Sequence, residues 1–211
     1  AQIFLQPGSV QTVHPIRADY PPLGFELAAS GILFQFKPLD FIQVNAAMNE
    51  VMIERTLHLL EPKPADVVLD LFCGLGNFTL PLAKRVGEAV GVEGDQGLVD
   101  RAKENAQRNG IANAVFFAAD LSQDISAQLW KTQRFNKILL DPPRAGALDV
   151  LKQLYLKGVE RIVYVSCHPA SLARDAAYLV QERGYRLSQA GAMDMFPQTA
   201  HVESIAVFEA V

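Results

Sequence analysis

The sequence predicts an α/β fold with one doubly wound, mostly parallel sheet and a small β-rich segment in front of it. From about Asp40, short apolar runs that suit buried strands alternate with segments whose apolar residues recur at helical spacing. Such alternation gives a parallel sheet with helices on both faces. The chain closes with two strands, 185–190 and 204–208, and no helix fits between them. This ending predicts an antiparallel last strand.

The composition is that of a globular protein. Half of the 211 residues are hydrophobic and 20% are charged, so the chain can bury a full core. The 19 basic and 23 acidic residues give a net charge of −4. This balance argues against a protein that binds nucleic acid through the electrostatic field of its total charge. A local basic patch is still compatible with it.

Two cysteines, Cys73 and Cys167, are too few for a disulfide scaffold or a four-thiolate metal site. We therefore expect no metal in this chain and a reducing, cytoplasmic location. No apolar run approaches the ~18–20 residues of a membrane span, and no secretory signal opens the chain. We expect no membrane association, and we expect a monomer.

Residues 1–40 differ from the rest of the chain because prolines interrupt short β-prone stretches such as 32–36. Proline at this density excludes long helices. We predict two units. Residues 1–40 form a β-rich appendage or the end of a preceding domain, and residues 41–211 form a Rossmann-like domain.

The elements of the second unit follow one another in a regular order. The first helix is predicted over 46–60, where five apolar residues recur at helical spacing. Pro81 fits only the first turn of the second helix, and Asn109-Gly110 is a good C-cap for the third. Strands are predicted at 67–72, 89–92, 115–118, 137–140, 161–165, 185–190 and 204–208, with further helices near 78–86, 124–131, 147–157 and 172–183.

A glycine-rich turn between Asp70 and Phe78 joins the first strand to its helix. Gly74 and Gly76 allow the backbone to approach a ligand closely, and the N–H groups of the following helix point towards it. A dinucleotide-binding loop would carry a third small residue where this sequence has Thr79. A lone G-x-G is a weak signal, and a tight turn without a ligand is the alternative.

Acidic residues follow the next two strands. Glu93 comes seventeen residues after Gly76, where a carboxylate can accept hydrogen bonds from both hydroxyls of a ribose. Asp120 follows the third strand, where an acid can bind the edge of an adenine. Ligand-facing positions on consecutive strands favour a nucleoside cofactor, and the missing third glycine favours S-adenosylmethionine over NAD.

Asp141-Pro142-Pro143-Arg144 closes the fourth strand. The prolines hold the backbone extended and remove two amide donors, so the loop forms a rigid wall beside the cofactor. Asp141 can then accept hydrogen bonds from a planar substrate or from the cofactor. Amino-methylating enzymes use a similar loop, which usually ends in an aromatic residue where Arg144 stands here. An ordinary strand-ending turn is the alternative.

Cys167 follows the fifth strand within Ser166-Cys167-His168-Pro169. The ordinary interpretation of a lone cysteine beside an apolar strand is a buried small side chain. Cys167 lies, however, at the carboxyl edge of the sheet, just before a helix whose N-terminus favours a thiolate. Cys73 lies inside the glycine loop, where a small side chain is sufficient reason for it.

The predicted antiparallel strand brings Glu203 back to the edge that holds Cys167, although 36 residues separate them. A nucleophile and a base beside a methyl donor are a specific combination for covalent catalysis. A solvated charge at a strand end is the alternative for Glu203.

These motifs together resemble the RNA uracil-5-methyltransferase family, and among its members the bacterial 23S rRNA (uracil-5-)-methyltransferases. The resemblance covers about Asp40 to Val211. The matching segments are 41–45, 69–79, 141–146, 163–174 and 195–203.

The resemblance implies a class I S-adenosylmethionine-dependent methyltransferase domain over 41–211 that methylates carbon 5 of a uridine in RNA. The expected partner is 23S rRNA. Cys167 would add to carbon 6 of the uracil, and Glu203 would remove the proton from carbon 5. The residues that would contact or border S-adenosylmethionine are Gln43, Phe72, Asn77, Glu93, Asp120 and Asp141.

Two positions depart from the family pattern. His168 and Ser171 stand where close relatives tend to have Asn and Thr, which bears on how the target base is positioned. Relatives usually also carry an N-terminal RNA-binding β-barrel and, in the rRNA group, a four-cysteine iron–sulfur site. We expect neither in this chain.

Three alternatives stay open. A tRNA uracil-5-methyltransferase would use the same chemistry on another RNA. An amino-methylating enzyme would use the loop from Asp141 to Arg144, with Cys167 inert. A fragment that binds cofactor or RNA without catalysis would show binding but no turnover.

Overall fold

A computed structural model describes residues 2–199 and 201–211 of the chain. Before the main sheet come two small antiparallel pairs of strands. The first pair is β1 (Phe4–Leu5) with β2 (His14–Pro15), and the second is the hairpin of β3 (Leu23–Leu27) with β4 (Ile32–Phe36). These pairs form the β-rich N-terminal segment that the sequence predicts.

The main sheet has seven strands. In chain order they are β5 (Val67–Leu71), β6 (Glu88–Glu93), β7 (Ala114–Ala118), β8 (Lys137–Leu140), β9 (Arg161–Ser166), β10 (Tyr185–Met193) and β11 (Glu203–Ala210). Their spatial order is β10-β11-β9-β8-β5-β6-β7. The strands from β5 to β9 pair in parallel, and β11 runs antiparallel to both β9 and β10. The predicted doubly wound sheet with an antiparallel last strand is confirmed.

The helices cover both faces of this sheet. They are α1 (Ala46–Leu60), α2 (Thr79–Ala83), α3 (Gln96–Arg108), α4 (Leu148–Gln153) and α5 (Pro169–Glu182). Helices α1, α2 and α3 pack with the β3–β4 hairpin into one apolar core, and α4 and α5 pack into a second core on the opposite face. Side chains alternate between the two faces along a strand, so neighbouring residues of β5 enter different cores. Val68 packs in the first core and Leu69 in the second.

Three helix predictions were wrong in extent or type. The helix expected near 78–86 ends at Ala83. The helix expected near 124–131 is only a 3-10 turn over Leu129–Thr132. The Asp124 carboxylate accepts hydrogen bonds from the backbone and the hydroxyl of Ser126, and this local turn competes with a helix. The helix expected over 147–157 ends at Gln153, because Leu154 takes an extended conformation.

The β3–β4 hairpin is attached to α3 through side-chain amides. Asn109 accepts a hydrogen bond from the Leu33 N–H and donates one to the Leu33 carbonyl, both at 2.8 Å. Asn105 makes the same pair of bonds to Gln35, at 2.9 and 3.1 Å. The outer edge of β4 is thereby hydrogen-bonded to a helix, and the hairpin is held against the main sheet's first core.

No helix in the described part of the chain is long and apolar enough to cross a membrane.

Candidate active site

The carboxyl ends of β5, β6, β8 and β9 meet at one edge of the sheet, which is where open α/β sheets bind ligands. The turn after β5 carries three left-handed backbone conformations, at Phe72 (φ 64°), Gly74 (φ 55°) and Gly76 (φ 88°). The N–H groups of Phe72 and Cys73 donate to the Val92 carbonyl at 2.8 and 3.1 Å. Pairing with β6 therefore fixes the glycine loop. A positive φ at a bulky residue such as Phe72 is strained, and such strain concentrates at functional sites.

Beneath this loop lies a buried carboxyl group. Asp70 is fully buried, and its Oδ2 accepts a hydrogen bond from the Thr79 hydroxyl at 2.5 Å. Its other oxygen, Oδ1, has no protein partner among the described residues. Burial, with the charge of Glu93 acting in the same direction, raises the pKa of Asp70 to about 7. A polar atom left unpaired at this depth favours a ligand with a donor or a positive charge.

Four of the six residues predicted to contact or border the cofactor line a single cleft beside the glycine loop. They are Gln43, Phe72, Asn77 and Asp141. Phe25 and Phe34 of the N-terminal hairpin also line it, and their rings stack with centroids 5.0 Å apart. The cleft thus combines aromatic rings with amide and carboxyl groups, which suits a nucleoside.

The Asn77 side chain faces a helix as well as the cleft. Its amide exchanges two hydrogen bonds with Asn49 of α1, at 3.0 and 2.9 Å, and Asn49 is almost fully buried. Asn45 caps the start of α1 by accepting from the Met48 N–H, and it donates to the Met195 carbonyl. Helix α1 therefore joins the glycine loop to the segment that precedes Glu203.

Glu93, at the end of β6, borders the cleft without lining it. Its Oε2 accepts from the Gly74 N–H at 3.0 Å, and its Oε1 accepts from the Asp95 N–H at 3.1 Å. The carboxylate therefore links the glycine loop to the start of α3. Each oxygen keeps a second lone pair for a ligand hydroxyl.

Asp120 does not join this cluster in the structure. It is exposed beyond β7, and its Oδ1 accepts from both the backbone N–H and the hydroxyl of Ser122. These hydrogen bonds lower the pKa of Asp120. Asp120 lies at the carboxyl ends of the strands, as the cleft does, but it does not line the cleft.

The sheet register brings Cys167 and Glu203 together. Ser204 of β11 pairs with Ser166 of β9, so the residues just outside this pair, Glu203 and Cys167, lie side by side on the same face. Glu203 is 6% exposed, and Cys167 is half-buried. The proximity that the sequence predicts from topology is therefore present.

The electrostatics of this pair differ from the sequence expectation. Burial raises the pKa of the Cys167 thiol, and the charges of Glu203 and Asp141 raise it further. Arg144 and a backbone hydrogen bond act in the opposite direction but are smaller causes. We expected the helix N-terminus to favour a thiolate; instead the pKa of the Cys167 thiol is raised, first by burial and then by the two neighbouring carboxyl groups.

The ring of His168 faces the helix that follows Cys167. Its Nδ1 accepts a hydrogen bond from the Ser171 N–H at 3.3 Å and so caps α5, and the Ser171 hydroxyl donates to the His168 carbonyl at 2.9 Å. The ring nitrogen that faces the helix is therefore an acceptor. His168 and Ser171, the two positions that depart from the family pattern, bond to each other.

The acids of the site raise one another's pKa. Burial is the main cause of a pKa of about 8 for Asp141, and the charges of Glu203 and Asp70 add to it. Burial also raises the pKa of Glu203, while His201 lowers it. The charges of Glu203 and Asp141 thus act on Cys167, and the charge of Asp70 acts on Asp141. Perturbed acids of this kind mark functional sites.

Sequence reasoning missed the hairpin wall of the cleft and the buried Asp70 beneath the loop. Phe25, Phe34, Phe36 and Phe41 form a run of aromatic residues just before α1, and this density was an available signal. A wider groove lies between the N-terminal segment and α3, beside Arg101 and Glu104, but it is far from the carboxyl ends of β8 and β9. No cluster of three metal-ligating side chains occurs among residues 2–199 and 201–211.

Comparisons with known proteins match almost the whole chain. The family model for tRNA (Uracil-5-)-methyltransferase matches residues 16–211. The 23S rRNA (uracil(1939)-C(5))-methyltransferases RlmD of Xanthomonas campestris pv. campestris and Stenotrophomonas maltophilia are each 66% identical over 207 residues, 98% of this chain and 47% of their own length. The chain therefore spans about half the length of the curated relatives it matches.

Solved structures agree with this result. The Pyrococcus abyssi tRNA (uracil-54, C5)-methyltransferase, in complex with S-adenosyl-L-homocysteine, has a TM-score of 0.77 and 27% identity, and the match covers 98% of this chain and 50% of that one. TrmN from Thermus thermophilus has a TM-score of 0.61 and 21% identity, covers 86% of this chain and 56% of that one, and shares the class I methyltransferase fold. From residue 16 to its last residue, the chain belongs to the tRNA (uracil-5-)-methyltransferase family.

Proposed function

We propose that this chain is the catalytic part of an S-adenosylmethionine-dependent RNA (uracil-5-)-methyltransferase that acts on a uridine of 23S rRNA. The observation that carries the proposal is the β9–β11 register, which pairs Ser166 with Ser204 and so favours the approach of Cys167 to Glu203. Asp141, whose charge acts on Cys167, lines the nearby cleft that suits a nucleoside. An amino-methylating enzyme would need neither Cys167 nor Glu203.

The cleft fits the cofactor on its own chemistry. An added Cβ on Gly74 would have no heavy atom within 4 Å, so open space faces the loop there. The acid at Asp141, which lines the cleft, suits the positive charges of S-adenosylmethionine. Glu93 is the candidate partner of the ribose hydroxyls, and Phe72, Gln43 and Asn77 line the cleft. Asp120 is the outermost candidate and is proposed only for the adenine end.

The chemistry follows from two side chains. When bound, S-adenosylmethionine supplies an electrophilic methyl group. The Cys167 thiolate forms a bond to carbon 6 of the uracil, and the electron pair of the 5,6 double bond makes carbon 5 nucleophilic. Once carbon 5 carries the methyl group, Glu203 accepts the proton from that carbon. The 5,6 double bond reforms, and the bond between sulfur and carbon 6 breaks.

The thiol must lose its proton before it can add. Glu203 and Asp141 are the nearest acids, and their charges hold the Cys167 pKa up in the free protein. A cation bound beside these acids would reduce their effect on the thiol. We infer that cofactor binding prepares Cys167, which orders cofactor binding before attack on the base.

The choice of 23S rRNA rests on similarity. The RlmD relatives are 66–67% identical to this chain, and the archaeal tRNA enzyme is 27% identical. A tRNA uridine is the second candidate substrate, because both the family description and that archaeal enzyme name tRNA. Cytoplasmic location and a monomeric state remain predictions. So does the division into a β-rich segment over 1–40 and a catalytic domain over 41–211.

The test is denaturing mass spectrometry after mixing the protein with S-adenosylmethionine and 23S rRNA fragments that contain 5-fluorouridine. Fluorine at carbon 5 cannot leave as a proton does, so the intermediate should accumulate as an adduct on the Cys167 peptide. The Cys167→Ala variant should bind S-adenosylmethionine and form no adduct.

Two outcomes contradict parts of the proposal. An adduct formed with matched tRNA fragments but not with rRNA fragments would reassign the substrate. Methyl transfer by Cys167→Ala at the unaltered rate would eliminate covalent catalysis. Cofactor binding with no adduct on any RNA would favour a binding fragment, and a longer chain that includes the rest of the relatives' length would then be tested in the same way.

A further inference from the structure

Asp175 of α5 is a fully buried carboxylate that the proposed mechanism does not use. Three different segments donate hydrogen bonds to it. The Ala147 N–H bonds its Oδ2 at 2.6 Å, the Tyr164 hydroxyl bonds the same oxygen at 2.7 Å, and the Arg174 Nε bonds its Oδ1 at 2.8 Å. A buried charge with this many donors is well compensated, and removing any donor would leave it short.

The three segments are the ones that carry the reactive groups. Ala147 ends the loop that begins at Asp141, Tyr164 lies on β9 three residues before Cys167, and Arg174 is on the helix that follows Cys167. Arg174 also donates from Nη2 to the Ala145 carbonyl at 2.7 Å. The loop that closes β8 is therefore bonded to Asp175 and Arg174 of α5, and Asp175 is also bonded to strand β9.

Gly146 allows this close approach. Its φ is +84°, and an added Cβ would lie 2.5 Å from the Arg174 Nη2 and 2.7 Å from the Asp175 Oδ2. Only glycine lets the loop backbone pass over these two side chains. The backbone of the loop therefore packs directly against the side chains of Arg174 and Asp175.

We propose that Asp175 is a positioning residue that locks the loop from Asp141 to Ala147 against β9 and α5, and so sets the relative position of Asp141, Arg144 and Cys167. The proposal rests on the proposed function, because its purpose is the geometry of attack on the base. Tyr164 and Arg174 are the partners through which Asp175 acts. Arg174 is bonded to both Asp175 and Ala145.

The main variant is Asp175→Asn, which keeps the size of the side chain but replaces one acceptor oxygen with a donor. Tyr164→Phe removes one hydroxyl and is the milder variant if Asp175→Asn folds poorly. The matched control is Asp66→Asn, at a buried carboxylate that pairs with Lys137 at the opposite edge of the sheet. All three are compared at a temperature where each is fully folded.

Two measurements separate positioning from stability. In single-turnover assays with 5-fluorouridine rRNA fragments, Asp175→Asn should form the Cys167 adduct about 10- to 100-fold more slowly, because small displacements of reacting groups cost that much. Its affinity for S-adenosylmethionine should change less than about threefold, because Asp175 and Arg174 bond only the end of the loop at Ala145 and Ala147. The Asp141 end, which lines the cleft, is bonded separately to the Leu71 carbonyl of β5. Tyr164→Phe should lose less, and Asp66→Asn should react at the unaltered rate.

Iodoacetamide gives a second measurement that needs neither RNA nor cofactor. A loosened loop exposes the half-buried Cys167, so Asp175→Asn should alkylate there about threefold faster or more, while the buried Cys73 stays unreactive. Global loosening would expose both cysteines. Slower adduct formation together with faster alkylation of Cys167 alone is therefore the signature of lost positioning.

The proposal is overturned if Asp175→Asn matches Asp66→Asn in both measurements, or if both cysteines of Asp175→Asn react together. If the unaltered protein forms no adduct on any RNA, the proposed function fails instead. The alkylation rates of Cys167 in the three variants still decide whether Asp175 holds the loop.

Discussion

Buried charge is arranged in opposite ways at the two edges of the main sheet that lie across the strands, the one where the parallel strands begin and the one where they end. At the edge where β8 and β9 begin, Lys137 is nearly fully buried and pairs with Asp66 at 2.8 Å. Arg161 bonds Glu61 and Glu209 there, each at 2.9 Å. At the other edge, Asp70 and Glu203 are buried and Asp141 is partly buried, and burial is the main cause that raises the pKa of each.

This difference separates structural from functional charge. Paired charges at the first edge are compensated within the fold, so they need nothing from outside it. Uncompensated acids at the second edge make the free protein less stable and are retained where a ligand supplies the missing partner. The following predictions test this contrast, from the largest expected effect to the smallest.

Glu203→Gln tests the base at the functional edge. We expect methyl transfer to fall by about 10²- to 10⁴-fold, the usual contribution of a general base. Because proton removal follows methylation, a covalent adduct with ordinary uridine should accumulate and survive denaturing electrophoresis. A fast variant that leaves no adduct would remove Glu203 from the proton-transfer step.

Lys137→Met tests the structural edge. It leaves Asp66 buried without its partner, so we expect the free energy of unfolding to fall by about 3–5 kcal/mol in urea titrations. The double change with Asp66→Asn should recover part of this loss. S-adenosylmethionine binding, measured by calorimetry on folded protein, should stay the same; a large loss of affinity would show that the two edges are not independent.

Asp141→Asn tests whether the functional edge costs stability. Folding raises the pKa of Asp141 to about 8, so its contribution to stability is full below the ordinary carboxyl pKa and is lost as the pH rises through about 8. An amide has no charge to bury, so the variant should be more stable than the unaltered protein by about 2 kcal/mol at pH 8.

The same comparison at pH 5 is the control. There the carboxyl of Asp141 is mostly protonated in the folded state, so the stabilisation by Asn should shrink. Thermal unfolding at both pH values measures the difference. A variant that is less stable than the unaltered protein at pH 8 would mean that Asp141 already has a compensating partner.

The pH dependence of Cys167 alkylation gives the smallest predicted effect. The acids Glu203 and Asp141 help to raise the thiol pKa, so a cation beside them should lower it. We expect the alkylation midpoint to fall by about one pH unit when S-adenosylmethionine binds. S-adenosylhomocysteine, which lacks the sulfonium charge, should shift it less; equal shifts would show that the sulfonium lies away from these acids.

The sequence predicted those parts of the molecule that depend on local pattern or on chain topology. Helix α1 was predicted with its observed bounds, 46–60, because its apolar residues keep helical spacing throughout. The meeting of Cys167 and Glu203 followed from the direction of the last strand alone. Asp120 shows the limit of this reasoning. Its place after a strand predicts the edge of the sheet at which it lies, but it does not predict the direction in which its side chain points.

Other features arise from packing that no local pattern encodes. The wall formed by Phe25 and Phe34 depends on how the hairpin seats on the first core, which involves residues far apart in the chain. The raised pKa of Cys167 depends on the burial of the thiol itself and on the charges of two neighbouring acids. In the sequence, Asp175 is indistinguishable from other acidic residues of helices. Its role becomes visible only from its position under the loop from Asp141 to Ala147.

The hydrogen bonds from the side-chain amides of α3 to the backbone of β4 also affect how the protein associates with other chains. A free strand edge recruits strands from neighbouring molecules and so promotes aggregation. Asn105 and Asn109 occupy the outward N–H and carbonyl groups of Leu33 and Gln35, so this edge of the hairpin is closed to such pairing. A short hairpin that walls the cleft is thereby protected from self-association by two amide side chains.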